Sequence, residues 1–221
     1  MLNSRGILCV MDCLKASHTF QVYQSVGIVH KEAVYSYGGA KTHNLAQQKC
    51  MGEMLERVAL RLYKSFNPNG LYGSAGGFTD DQAKERAHFE LIERITFTRF
   101  LEKNKDFKPK KKTSMLISEK TPPYTYMCIK PFFYKGKNMY ATGLCTKKTA
   151  LAAKRGAKEE SIVEQEVKRL VSKVPEKNLS MISSSKENNI QGKPSTRGFQ
   201  NLTPNFYASL KYAVWSVANG K

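Results

Sequence analysis

The sequence predicts an α+β protein, and three observations carry that reading. Short Val- and Ile-rich runs without helical period recur as strands. Longer segments repeat apolar residues at helical spacing. One acidic helix is also written twice. GGAKTHNLAQQKCMGEMLER (38–57) is answered thirty-seven residues later by AGGFTDDQAKERAHFELIER (75–94), matching at Gly39/Gly76, Thr42/Thr79, Ala46/Ala83, Glu53/Glu90, Glu56/Glu93 and Arg57/Arg94. With 221 residues, 41% of them hydrophobic, the chain can bury one fair-sized core. The expected architecture is one domain with the acidic helices packed on a mixed β-sheet.

In order, residues 6–10, 20–30 and 33–37 read as strands. Asn44 is the expected N-cap of a helix over 45–63, which stops before Asn67-Pro68-Asn69-Gly70. Thr79, with Gln82 three residues on, caps a second helix reaching about residue 101. Residues 103–114 (KNKDFKPKKKTS) form a basic linker. Strands follow at 124–133 and 138–144, then a helix over 147–172. These elements make a domain of residues 1–172. Residues 173–206, rich in Ser, Asn, Lys and Pro, read as a flexible loop. The apolar stretch 207–218 reads as a terminal helix, returning 207–221 to the same domain.

Composition narrows the chemistry. The net charge of +18 is uneven: residues 1–100 hold 12 Lys+Arg against 9 Asp+Glu, and residues 101–221 hold 24 against 9. The second half is therefore at 24 − 9 = +15 and implies an anionic partner there. Five cysteines with no Cys-x-x-Cys pair argue against a disulfide framework and a zinc site, and favour a reducing compartment. Nothing reads as a transmembrane span or a secretory signal, so a cytoplasmic setting without a membrane partner is expected.

The two acidic helices differ as surfaces. In the first, Met51, Met54, Leu55, Val58 and Leu62 form one apolar stripe, and Glu53, Glu56 and Arg57 lie opposite, which by itself reads as a solvated charged face. In the second, Phe89, Leu91, Ile92, Ile95, Phe97, Phe100 and Leu101 occupy nearly every direction, so Glu90, Glu93 and Arg94 must lie in or beside buried surface. Buried carboxylates need an arginine, a metal or a dense hydrogen-bond network. Two helices each offering two carboxylates one turn apart can converge on divalent cations such as magnesium.

These motifs resemble the YcaO family, ATP-dependent enzymes that modify the peptide backbone. SRGILCV (4–10) is similar to the family's opening strand, 38–57 to its first Glu-x-x-Glu-Arg helix, and GSAGGFTDDQAKERAHFELIER (73–94) to its second. ATGLCTKKTALAAKRGAKEESIVEQ (141–165) matches the third motif loosely, through Ala153, Ala157 and Glu160, with Glu164 or Gln165 near the family's glutamine. The resemblance implies a YcaO-like α+β fold in which Glu53, Glu56, Glu90 and Glu93 hold Mg2+. Arg57, Arg94, Ser74, Glu160 and Glu164 would then contact ATP, with Lys41 after the glycine pair as a phosphate-reaching lysine, although GGAKT is not a Walker A loop. The implied reaction is phosphoryl activation of an amide oxygen in a ribosomally made peptide or protein, leading to azoline formation, thioamidation or a similar change. The family's azoline-forming members end in a proline-rich tail, which WSVANGK does not resemble. No catalytic nucleophile is assigned. A separate leader-binding or accessory protein is an expected partner, and a homo-oligomer is compatible.

Two alternatives stand beside this. Residues 125–157 also resemble the second half of a double-stranded-RNA-binding domain, with Thr146-Lys147-Lys148 at a helix start and the +15 half-chain charge for phosphates. A non-catalytic YcaO-like scaffold that binds a peptide is the other.

Overall fold

Three repeats of one local unit build the protein. The structure, a computed structural model, describes residues 9–29, 32–63, 71–105, 107, 113–171, 198–204 and 211–218. The first unit is an antiparallel meander, β1 (Cys9–Lys15), β2 (Gln21–Val29) and β3 (Glu32–Ala40), followed by α1 (His43–Leu62). A later unit repeats that order with β5 (Thr113–Leu116), β6 (Tyr124–Tyr134), β7 (Lys137–Lys147) and α3 (Ala150–Val171). Between them lie β4 (Tyr72–Gly77) and α2 (Asp80–Lys103). Their sheet is completed from the far end of the chain by β8 (Gly198–Asn201) and β9 (Ala213–Ala218), in the order β4-β9-β8. The middle unit is thus β8-β9-β4-α2, the same layout permuted in sequence. In every unit the helix follows an edge strand and packs back on its own sheet.

The repeat extends to individual side chains. Thr42, Thr79 and Thr149 each cap a helix, their hydroxyls accepting from Leu45, Gln82 and Ala152 N–H at 3.4, 3.2 and 3.4 Å. Four residues on, Ala46, Ala83 and Ala153 are fully buried, as are Cys50, Ala87 and Ala157 one turn later. Only small residues there let a helix backbone close onto its edge strand. At Gly73 and Gly143 the approach is so tight that an added Cβ would overlap the Ala87 and Ala157 carbonyl oxygens.

Several expectations are corrected. The α+β class holds, but among the described residues three antiparallel sheets stand where one mixed sheet was expected. The terminal helix read over 207–218 is instead strand β9 within the described residues, pairing Tyr72 with Ala218 through Gly77 with Ala213. AVWSVA buries Val214 and Ser216 and leaves Ala213 and Trp215 partly exposed, a strand alternation that so short an apolar run does not distinguish from a helix turn. β4 carries no strand signal in the sequence, because its glycines and alanine have low strand propensity; they serve the close helix approach. β8 falls inside the expected loop 173–206, of which 173–197 and 205–206 lie outside the described residues. The basic linker contributes Lys103 to α2 and Thr113 and Ser114 to β5, and 106 and 108–112 lie outside the described residues. The cap of α1 is Thr42, not Asn44.

Gly73→Ala and Gly143→Ala should each cost about 1–3 kcal/mol in urea unfolding, because backbone must move. Gly136→Ala, in open space at φ +76, should cost only its backbone strain, about 1 kcal/mol. Equal midpoints for all three would refute the close-packing account.

Candidate functional site

An edge strand leaves half its backbone groups without a ladder partner, and in this fold glutamates meet them. The N–H groups of Tyr37, Ser74 and Leu144, on β3, β4 and β7, donate to Oε2 of Glu53, Glu90 and Glu160 at 2.9, 3.1 and 3.1 Å, always sixteen residues ahead. Gly76 N–H donates to Glu56 at 2.7 Å, and Thr142 N–H to Glu164. Each carboxylate is therefore held by backbone before any cation acts on it.

Those bonds draw carboxylates from three helices into one region, in which Glu53, Glu56, Glu90 and Glu93 are partly buried and Glu160 keeps an exposed edge. Burial pushes Glu56 and Glu93 up to about 7, and raises Glu90 and Glu160 as well. Like charge adds to burial: Glu90 and Glu53 raise Glu56, Glu90 raises Glu93, and Glu93 and Glu53 raise Glu160. Glu53, Glu56, Glu90, Glu93 and Glu160 thus form a single electrostatic group.

Cations offset part of this. Arg57 holds Glu53 through Nε at 2.9 Å and Nη2 at 2.6 Å, and Arg94 holds Glu90 at 2.8 Å while lying over the Tyr72 ring. Arg86 reaches Glu56 at 3.5 Å and the Gly76 carbonyl, and Lys168 pairs with Glu164 at 2.8 Å. Glu93 has a Thr146 backbone bond and, at longer range, Lys147 and Arg94; Glu160 has the Leu144 N–H. These two depend least on a directly paired cation. Beside them burial pushes the Cys145 thiol up to about 12, so it stays protonated at neutral pH.

The solvated reading of the α1 acidic face is corrected at Glu56, whose side chain is only 14% exposed because β4 packs against it and Arg86 of α2 reaches it, while Glu53 and Arg57 stay partly exposed. Arg57, Ser74, Arg94, Glu160 and Glu164 all join the cluster, Ser74 through its N–H. Lys41 does not; it is exposed in the turn before α1, without a hydrogen bond or ion pair among the described residues. In its place Lys49 donates to the Gly39 carbonyl at 3.1 Å and to Glu159 on α3 at 3.0 Å. Lys49 and Arg86 are repeat equivalents, as are the Gly39 and Gly76 carbonyls they bind, so extending the thirty-seven-residue register would have found both. The third equivalent is Gly156, whose place against the strand is taken by the Cys145 side chain. Lys148, the helix-start lysine of the RNA reading, pairs with Glu85 on α2.

Oxygen donors in a partly buried, like-charged cluster suit a hard divalent cation. Among the described residues, though, no three His, Cys, Asp or Glu side chains converge tightly enough to enclose an ion as they stand.

No family model matches the chain, and no curated protein matches its sequence. Its structure is similar to that of YcaO from Methanopyrus kandleri bound with AMPPCP and Mg2+, with a TM-score of 0.65 and 11% identity over 96% of this chain and 85% of that one. The fold is YcaO-like. Within this YcaO-like fold, β3, β4 and β7 bring their edges, and the glutamates that meet them, to one place. No described helix is long and apolar enough to cross a membrane.

An acid whose folded pKa is raised binds its proton more tightly folded than unfolded. The stability it contributes is full below about pH 4.5 and is lost as pH rises through about 7. The metal-free protein should therefore be less stable at pH 8 than at pH 5, by roughly 2 kcal/mol per group, and melt lower. Glu93→Gln should flatten that slope in a thermal series; an unchanged slope would count against the shared cluster.

Proposed function

We propose that the protein binds ATP with magnesium at the carboxylate cluster and activates a backbone amide of a peptide or protein substrate. The observation that supports this most is the convergence of carboxylates from three helices on a YcaO-like fold, since such a cluster is stable only if its charge is met. Under this reading Glu53, Glu56, Glu90 and Glu93 hold magnesium, and Glu160 and Glu164 complete the acidic wall. Magnesium–ATP, when bound, supplies a phosphoryl group for the amide oxygen. The chain's own residues position and neutralise. The Tyr37, Ser74 and Gly76 N–H groups fix the carboxylates on one side and leave their remaining lone pairs for a ligand. Arg57 and Arg94 limit charge build-up at Glu53 and Glu90 and stand ready for phosphate oxygens. Lys49 and Arg86 tie α1 to α3 and α2 to α1, so the three helices keep their spacing. Azoline formation and thioamidation are both consistent with such a site. A leader-binding or accessory protein and a cytoplasmic setting belong to the same proposal.

Calorimetry with ATP tests it. Binding should require magnesium, because four carboxylates repel bare phosphates. At pH 7 it should release about one proton, seen as a buffer-dependent enthalpy, since a cation displaces protons held by Glu56 and Glu93. Glu90→Gln should weaken nucleotide binding tenfold or more, roughly 1.4 kcal/mol. Glu85→Gln, on a half-exposed partner of Lys148, should leave it unchanged. Equal ATP affinity with and without magnesium would contradict the assignment.

A further inference from the structure

The β6–β7 hairpin is the feature that the cluster does not explain. Among the described residues β5 covers only Tyr126–Ile129 of β6, and the outer half of the hairpin runs on past it. There Phe133 is 67% and Tyr140 39% exposed. Residues 124–147 contain Lys130, Lys135, Lys137 and Lys147 and no Asp or Glu. The turn is Lys135-Gly136, both at positive φ (47 and 76), a two-residue turn in which Asn or Gly usually takes the first place. A lysine held there keeps a cation at the tip, above the Tyr134 ring.

The same hairpin has an open edge that leads to the site. With Tyr134–Lys137 as the closing pair, odd-numbered residues of β7 bond to β6 and even-numbered ones point outward. Of the outward groups, the Thr142 and Leu144 N–H meet Glu164 and Glu160, and the Tyr140 carbonyl meets Lys168. The Asn138 and Tyr140 N–H groups have no partner among the described residues. Tyr140 and Leu144 are four residues apart, about 14 Å along a strand.

We propose that the outer half of the β6–β7 hairpin docks an extended acidic peptide, which adds to the edge of β7 and is led toward the carboxylates. This rests on the peptide-modifying reading and names the surface that holds its substrate. Backbone pairing at Asn138 and Tyr140 supplies register, Phe133 and Tyr140 supply apolar contact, and the lysines favour acidic side chains. The peptide is acidic where it crosses the hairpin and uncharged where it nears the glutamates. A single-stranded nucleic acid fits worse: its phosphates cannot pair with a strand edge, and the same edge would carry them into the carboxylate cluster.

Fluorescence anisotropy on the full chain tests this with a labelled twelve-residue peptide of alternating Glu and Val, the matching Lys–Val peptide, and a twelve-nucleotide oligothymidine. The Glu–Val peptide should bind best, weaken with added salt, and lose tenfold or more in a Phe133→Ser/Lys135→Glu/Lys137→Glu variant. All three residues lie at the hairpin tip, so magnesium–ATP binding by the variant should match the parent and reports that it is folded. Equal peptide affinity in parent and variant, tighter oligothymidine binding, or no peptide binding by the parent would each overturn the proposal. If the parent binds magnesium–ATP normally in those cases, only the hairpin assignment fails; if it does not, the amide-activation reading fails.

Discussion

The hydrogen bond from an edge-strand N–H to a glutamate sixteen residues later is the constraint on which the rest of the structure depends. It occurs at Tyr37–Glu53, Ser74–Glu90 and Leu144–Glu160. An edge strand buried against helices would otherwise keep costly unpaired donors, and a buried glutamate would otherwise keep an unmet charge. One bond answers both needs. It works only where the helix backbone comes close, and so demands the fully buried small residues Ala46, Cys50, Ala83, Ala87, Ala153 and Ala157. Sheet edge, helix spacing and carboxylate placement are three consequences of one contact.

The arrangement works against itself electrostatically. Placing Glu56, Glu90, Glu93 and Glu160 together lifts all of them, first by burial and then by one another. The two early helices moderate this with an arginine four residues after the edge-bound glutamate, Arg57 and Arg94, and with the inter-helix cations Lys49 and Arg86. The third helix has Glu164 and Gly156 at those positions. Charge compensation is therefore weakest between α2 and α3, where Glu93 faces Glu160, and a bound cation would do most for stability there.

Much of the site was legible because it is local. The thirty-seven-residue repeat carries its cap, its buried alanine and its Glu-x-x-Glu-Arg in plain view. The third copy was faint because Val163 and Glu164 replace the second glutamate and the arginine, and because β5–β7 stretch its spacing to seventy residues. That Thr149 caps α3 as Thr42 and Thr79 cap theirs is clear only once the strand edges are aligned. The permuted middle sheet was not legible: β4 meets β9 more than 130 residues away, as at Gly77 and Ala213, and no local pattern encodes that pairing. The α1 acidic face misled because its helical pattern shows one apolar side, whereas burial of the other comes from β4 and α2.

The most direct measurement is a carboxyl-carbon NMR titration of the glutamates in the metal-free protein. The account predicts that Glu56 and Glu93 titrate near neutrality, Glu90 above and Glu160 well above ordinary glutamate, with the four curves responding to one another. Magnesium–ATP should return them to the ordinary acidic range. Four independent curves near the usual glutamate value in the metal-free protein would contradict the shared cluster.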